Sequence, residues 1–191
     1  MRTYKEQFEP HIVKQIDELV NTVETLRYPT GSSRYYGVDL TMCLKAGALA
    51  GSLVLATALM EIYIRGLIVK YTEKAQSGWA RKVSVEIELE EKRRESFSSL
   101  LNHLVKAELF NEDDASIANK LYKEVRIPTH HGLPSRLLGR NKEDPLYELL
   151  KTIGGDTVSL SEFENFFEKE ALVLLSEIIG ILSRNQIKKQ I

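Results

Sequence analysis

The residues best suited to chemistry in this 191-residue chain form one short stretch, Arg126-Ile-Pro-Thr-His-His131. Arg126 carries a permanently charged guanidinium, and His131, five residues later, carries an imidazole that titrates near neutrality. An arginine holds two oxygens of a phosphodiester, and a histidine moves a proton to or from a ribose hydroxyl without a metal. The pair therefore indicates phosphate chemistry.

A purely structural role explains the same stretch. Arg126 would then pair with an acidic side chain or cap the carboxyl end of a helix, and His130-His131-Gly132 would be a polar turn that ends at a glycine. His131 lies one residue beyond the i,i+4 spacing of helical neighbours, so the turn expected at Pro128 has to bring the two side chains together. Both interpretations stay open.

Signatures of other chemistry are absent from the sequence. It contains no glycine-rich phosphate loop, zinc-binding helix motif, EF-hand loop or nucleophile elbow. The only cysteine is Cys43, which excludes an internal disulfide and a multi-cysteine metal cluster within one chain. We therefore expect no metal and no cofactor. No apolar run follows the charges of the first residues, as it would in a signal peptide, so we expect a cytoplasmic protein.

The composition is that of a folded domain without a strong charge bias. Hydrophobic residues make up 43% and charged residues 28%, which argues against extensive disorder. There are 26 Lys and Arg residues against 27 Asp and Glu residues, a formal net charge of -1. This balance argues against non-specific wrapping of nucleic acid, which needs a large basic surplus, but it permits a small basic site.

Apolar periodicity predicts the helices that would position Arg126 and His131. The first runs from Pro10 to Arg27, and a second, capped by Asp39, from about Leu40 to about Lys74. Residues 46–60 of the second helix carry no charge, a pattern that is also typical of a membrane span. The uncharged run is short, and Glu61 and Arg65 follow it at the i,i+4 spacing of an ion pair, which favours a buried central helix and no membrane association.

Further helices follow Ser96 and the Asn111 cluster, and the latter helix must end or kink near Ile127 because Pro128 follows. A short helix opens at Pro145, and a long one follows Ser159 or Ser161. Residues 83–90 fit a strand or a helix equally well. The prediction is an all-α protein, a helical bundle of five to six helices forming a single domain over residues 1–191.

Several of these stretches share a pattern with a known family. In Leu53–Arg65, small apolar residues precede a glutamate and then a bulky apolar run. The pattern continues with Phe97–Leu101 and Leu104–Phe110. It ends with Lys123–Gly132, which contains the spacing Arg-x4-His. In these features the chain resembles the HEPN superfamily (higher eukaryotes and prokaryotes nucleotide-binding), small all-α domains. The resemblance covers about residues 40–135, which leaves a C-terminal helical extension over about residues 145–187.

The resemblance implies a specific function. Active HEPN proteins are metal-independent endoribonucleases, many of them in toxin–antitoxin or other defence systems, and they pair as homodimers with a composite site. Carried over to this chain, Arg126 would stabilise charge on the scissile phosphate, and His131 would assist attack by the 2′-hydroxyl. His130, one residue short of the signature spacing, would be a neighbouring substrate contact. An antitoxin or another regulatory protein is a further partner that the resemblance implies.

One departure from the family pattern leaves an alternative open. Ribonucleolytic members usually carry a polar residue directly after the arginine, whereas this chain has Ile127 followed by Pro128. Non-catalytic HEPN domains instead bind RNA, a nucleotide or a protein partner, so whether the chain is an enzyme stays open. A homodimer is expected in either case, because the uncharged helix and the apolar last helix offer more apolar surface than a small bundle hides.

Overall fold

The computed structural model describes residues 4–73, 96–126 and 160–186. Within these ranges the chain forms seven α-helices and one π-helical turn, with no strand, which confirms the all-α fold class. Residues 83–90, the predicted helix at Pro145 and both His130 and His131 lie outside the described residues. The helices are α1 (Tyr4–Gln7), α2 (Pro10–Thr25), α3 (Gly31–Lys45), α4 (Leu49–Glu73), α5 (Phe97–Lys106), α6 (Glu112–Leu121) and α7 (Leu160–Arg184), with the π turn at Tyr122–Arg126.

Helix α4 lies at the centre of the described structure. It contacts α3, α5, α7 and the π turn, and α2 in turn packs on α3 and α7. By length and composition, Leu49–Lys70 is apolar enough to cross a membrane, but 67% of this span is buried inside the protein. The burial confirms the prediction of a buried central helix. Fully buried side chains of α4 meet others from α2 and α7: Leu59, Met60, Tyr63, Ile64, Ile16, Val23, Leu175 and Ile178.

The predicted single helix from Leu40 to Lys74 is wrong, because the chain breaks between α3 and α4. Gly47 has a φ of +73°, the left-handed conformation that ends helices. Its amide donates to the Leu44 carbonyl at 3.0 Å, and the Ala48 amide donates to the Cys43 carbonyl at 3.0 Å, the paired bonds of a Schellman cap. A Cβ at Gly47 would lie 2.9 Å from the Phe8 ring, so the turn also needs glycine for close packing.

The start of α3 also differs from the expectation. Asp39 lies inside this helix, which begins at Gly31 and is capped by Thr30, whose side chain accepts from the Ser33 amide. The caps of the later helices follow the prediction. The Ser96 hydroxyl accepts from the Ser99 amide at 3.1 Å at the start of α5. The Asn111 side chain accepts from the amide of the third residue of α6 at 3.1 Å.

Asp114, near the start of α6, ties that helix to the end of α7. The Arg184 guanidinium donates to its carboxylate, with Nη2 at 2.6 Å from Oδ1, and the buried Asn185 amide donates to Oδ2 at 2.7 Å. The Asn185 side-chain oxygen in turn accepts from the Asn111 amide at 2.8 Å. These bonds join residues about seventy positions apart and hold the last helix on the bundle.

We expect Asp114 to make the stability of the fold sensitive to acid. Hydrogen bonds from Arg184 lower the pKa of Asp114 below its ordinary value of 3.8, although burial opposes that shift. The unfolded chain therefore binds this proton more readily, so stability is fully present above about pH 4 and falls as the pH drops through the lowered pKa. Asp114→Asn should reduce this loss between pH 5 and 2 in urea unfolding curves, and a full-size acid transition in the variant would contradict the assignment.

Candidate functional site

The π turn Tyr122–Arg126 carries Arg126 and continues directly from α6. A π turn holds one more residue per turn than an α-helix and is common at functional sites. The ring of Tyr122 stacks on the buried ring of Phe97, with centroids 4.2 Å apart and planes 11° apart. The sequence predicts that this helix ends or kinks near Ile127. The α-helix ends at Leu121, and the π turn continues it to Arg126.

Arg126 forms an ion pair with Glu61 of the central helix. Its Nε and Nη2 both lie 3.2 Å from Glu61 Oε2. On the other oxygen, Arg65 donates from Nη2 at 3.0 Å and from Nε at 3.2 Å, which confirms the predicted pairing of Glu61 with Arg65. One carboxylate thus lies between two guanidinium groups, and each of its oxygens accepts hydrogen bonds from one of them.

The three side chains are largely shielded from water. Their exposed fractions are 16% for Glu61, 13% for Arg65 and 21% for Arg126. Partial burial strengthens charge-assisted hydrogen bonds and lessens their screening by salt. These three side chains carry two positive charges and one negative charge. Their contacts hold the guanidinium of Arg126 against α4.

Of the three predicted site residues, only Arg126 lies in the described part of the chain. His130 and His131 lie outside it, so the approach of His131 to Arg126 stays a prediction. The structural interpretation considered for Arg126, pairing with an acid, is observed. Among the described residues, no group of three or more His, Cys, Asp or Glu side chains is placed to hold a metal ion.

The sequence does not predict that Glu61 pairs with Arg126 at this site. It predicted the short-range partner Arg65 from the i,i+4 spacing, but Arg126 is sixty-five positions away and no local pattern links it to Glu61. The feature that could have identified Glu61 is its position as the first charged residue after a long apolar run in the central helix. A lone acid in such a helix needs a partner, since a carboxylate without one is costly to bury.

Comparisons with family models, curated proteins and solved structures found no match for this chain. The resemblance to the HEPN superfamily therefore rests on the sequence stretches alone and stays a prediction.

Proposed function

We propose that this chain is a HEPN-like module that binds RNA through a basic segment, residues 120–142, which includes Arg126 and His131. The observation that carries the proposal is local charge. This segment holds six Lys or Arg residues and two histidines but a single acid, Glu124, whereas the whole chain has a net charge of -1. A concentration of positive charge in an otherwise balanced chain suits a polyanion such as the RNA backbone.

Binding without cleavage is the form that the contacts of Arg126 favour. A catalytic arginine has to stabilise the charge that develops on the scissile phosphate. Here the guanidinium already contacts the Glu61 carboxylate: Nε donates to Oε2, and Nη2 lies 3.2 Å from the same oxygen. The apolar Ile127 also stands where ribonucleolytic relatives would carry a polar residue. Both features support a module that holds RNA rather than one that cuts it.

RNA affinity of Arg126→Ala tests the proposal. Fluorescence anisotropy with a labelled single-stranded RNA should show wild-type binding that weakens linearly with the logarithm of salt concentration. The variant should bind about three- to tenfold more weakly, and its salt slope should fall by about 0.7, the value for one lost phosphate contact on a single strand. Arg34→Ala, which removes an arginine from an exposed position on α3, is the matched control. No salt-dependent wild-type binding, or equal losses in both variants, would overturn the proposal.

A metal-independent endoribonuclease is the second candidate, and the Arg-x4-His spacing of Arg126 and His131, which ribonucleolytic HEPN proteins share, favours it. His131 would then transfer the proton, with the composite site made by two copies of the chain. Cleavage of the same RNA in excess chelator, abolished by His131→Ala with folding intact, would establish this function. Binding without any cleavage would eliminate it.

A homodimer is part of both candidate functions. The apolar helix α4 is enclosed by its own chain, so it does not supply the surface expected for self-association. A different surface supports the proposal. Tyr35, Val38 and Met42 lie on one face of α3 at i, i+3 and i+7, with exposed fractions of 76%, 50% and 65%. Light scattering should give the mass of two chains at micromolar concentration, and a monomer would exclude the composite site.

A further inference from the structure

We infer that Glu61 is an internal competitor for the phosphate-binding groups of Arg126, so that RNA gains this arginine by displacing the protein's own carboxylate. The inference rests on the proposed RNA-binding function and adds a regulatory contact to the same site. It starts from the position of Glu61 Oε2, which lies 3.2 Å from both Nε and Nη2 of Arg126.

The carboxylate occupies the place where a phosphate oxygen would bind. Arginine presents its donors in a rigid, planar fork that binds carboxylates and phosphates with the same geometry. Oε2 accepts a hydrogen bond from Nε at 3.2 Å and forms an ion pair with Nη2 at the same distance, a position that one oxygen of a phosphodiester would also take. A backbone phosphate that binds the Nε and Nη2 edge of Arg126 therefore has to compete with Glu61.

The second arginine makes the exchange feasible. Removing one partner from a shielded ion pair is normally costly, because the charge that remains is left without compensation. Glu61, however, keeps its Oε1 contacts with Nε and Nη2 of Arg65 when Arg126 leaves. Arg126 meanwhile gains a phosphate, so every charged group stays paired in the bound state. Arg126 is also the most exposed of the three side chains, with 21% of its side chain accessible.

Binding of a labelled single-stranded RNA by Glu61→Gln tests the competition directly. The amide keeps the shape of the side chain but removes the negative charge, so RNA no longer competes with a carboxylate. We expect affinity to rise about tenfold with an unchanged salt slope, because Arg126 contacts one phosphate in the bound state of both proteins. If Glu61 only stabilises the fold, Glu61→Gln should bind RNA no more tightly than wild type.

Glu24→Gln is the matched control. Glu24 on α2 pairs with Lys45 at 2.6 Å, and both side chains are about half exposed. The control changes the net charge by the same amount as Glu61→Gln, so it reports the general effect of charge on RNA affinity. A rise of equal size in both variants would overturn the inference, whereas a rise confined to Glu61→Gln supports it.

Wild-type protein provides a second measurement that does not depend on the folding of a variant. In an NMR titration with the same RNA, the side-chain Nε–H signal of Arg126 and the carboxyl carbon signal of Glu61 should shift together. RNA binding that leaves both signals unchanged would overturn the inference while the proposed function stands. If the wild type does not bind RNA, the proposed function itself fails, whatever the variant does.

Discussion

Glu61→Ala should lower the free energy of unfolding by about 3 kcal/mol, because two shielded guanidinium groups lose their shared carboxylate. Each oxygen of Glu61 accepts from one arginine, so the substitution removes the contacts of Arg65 and Arg126 together. For a chain of this size, such a loss corresponds to a melting temperature lower by roughly 6–12 °C. Calorimetry of the variant beside wild type measures it.

Arg126→Ala provides the comparison for this prediction. It leaves Glu61 paired with Arg65, so we expect it to cost about 1–2 kcal/mol, less than the loss of the carboxylate. A double-mutant cycle between the two positions isolates their coupling. If Glu61→Ala proves no more destabilising than Arg126→Ala, the carboxylate does not serve both arginines in solution.

Gly37→Val should destabilise the protein by about 3 kcal/mol, through overpacking at the junction of α2, α3 and α4. A Cβ at Gly37 would overlap the Tyr28 hydroxyl and lie 2.7 Å from Tyr28 Cε1. Tyr28 cannot move away cheaply, since its hydroxyl donates to the Val23 carbonyl at 2.7 Å and its ring meets Tyr63 edge to face. Urea unfolding at neutral pH measures the change.

Gly31→Ala on the same helix is the control. Nothing lies within 4 Å of the Cβ it would add, so its effect should stay within about 0.5 kcal/mol. Equal losses for the two variants would mean that α3 is sensitive to any added side chain, and the specific contact with Tyr28 would be excluded as the cause.

Much of the fold follows from local patterns. The apolar stripe from Pro10 onward becomes α2, and Ser96 and Asn111 cap helices as their side chains predict. Such features depend on neighbours three or four residues away, which a sequence displays directly. The same holds for Glu61 and Arg65, whose spacing on one helix predicts their contact.

Features that depend on distant residues could not be predicted. The break at Gly47 lies within a run of good helix formers, and the requirement for glycine there comes partly from the ring of Phe8, far away in the sequence. Likewise, Asp114 meets Arg184 across seventy positions, and Arg126 meets Glu61 across sixty-five. No periodic pattern encodes these pairs, because tertiary packing alone brings them together. The sequence therefore singles out Arg126 as a candidate, but it does not identify Glu61 as its partner.

A crystal structure of the protein with a bound single-stranded RNA would test the central claim most directly. We expect an RNA phosphate oxygen within about 3.2 Å of the Arg126 guanidinium, a normal hydrogen-bond distance, with further phosphates along residues 120–142. RNA bound to another surface, with Arg126 still held by Glu61 and distant from every phosphate, would contradict it.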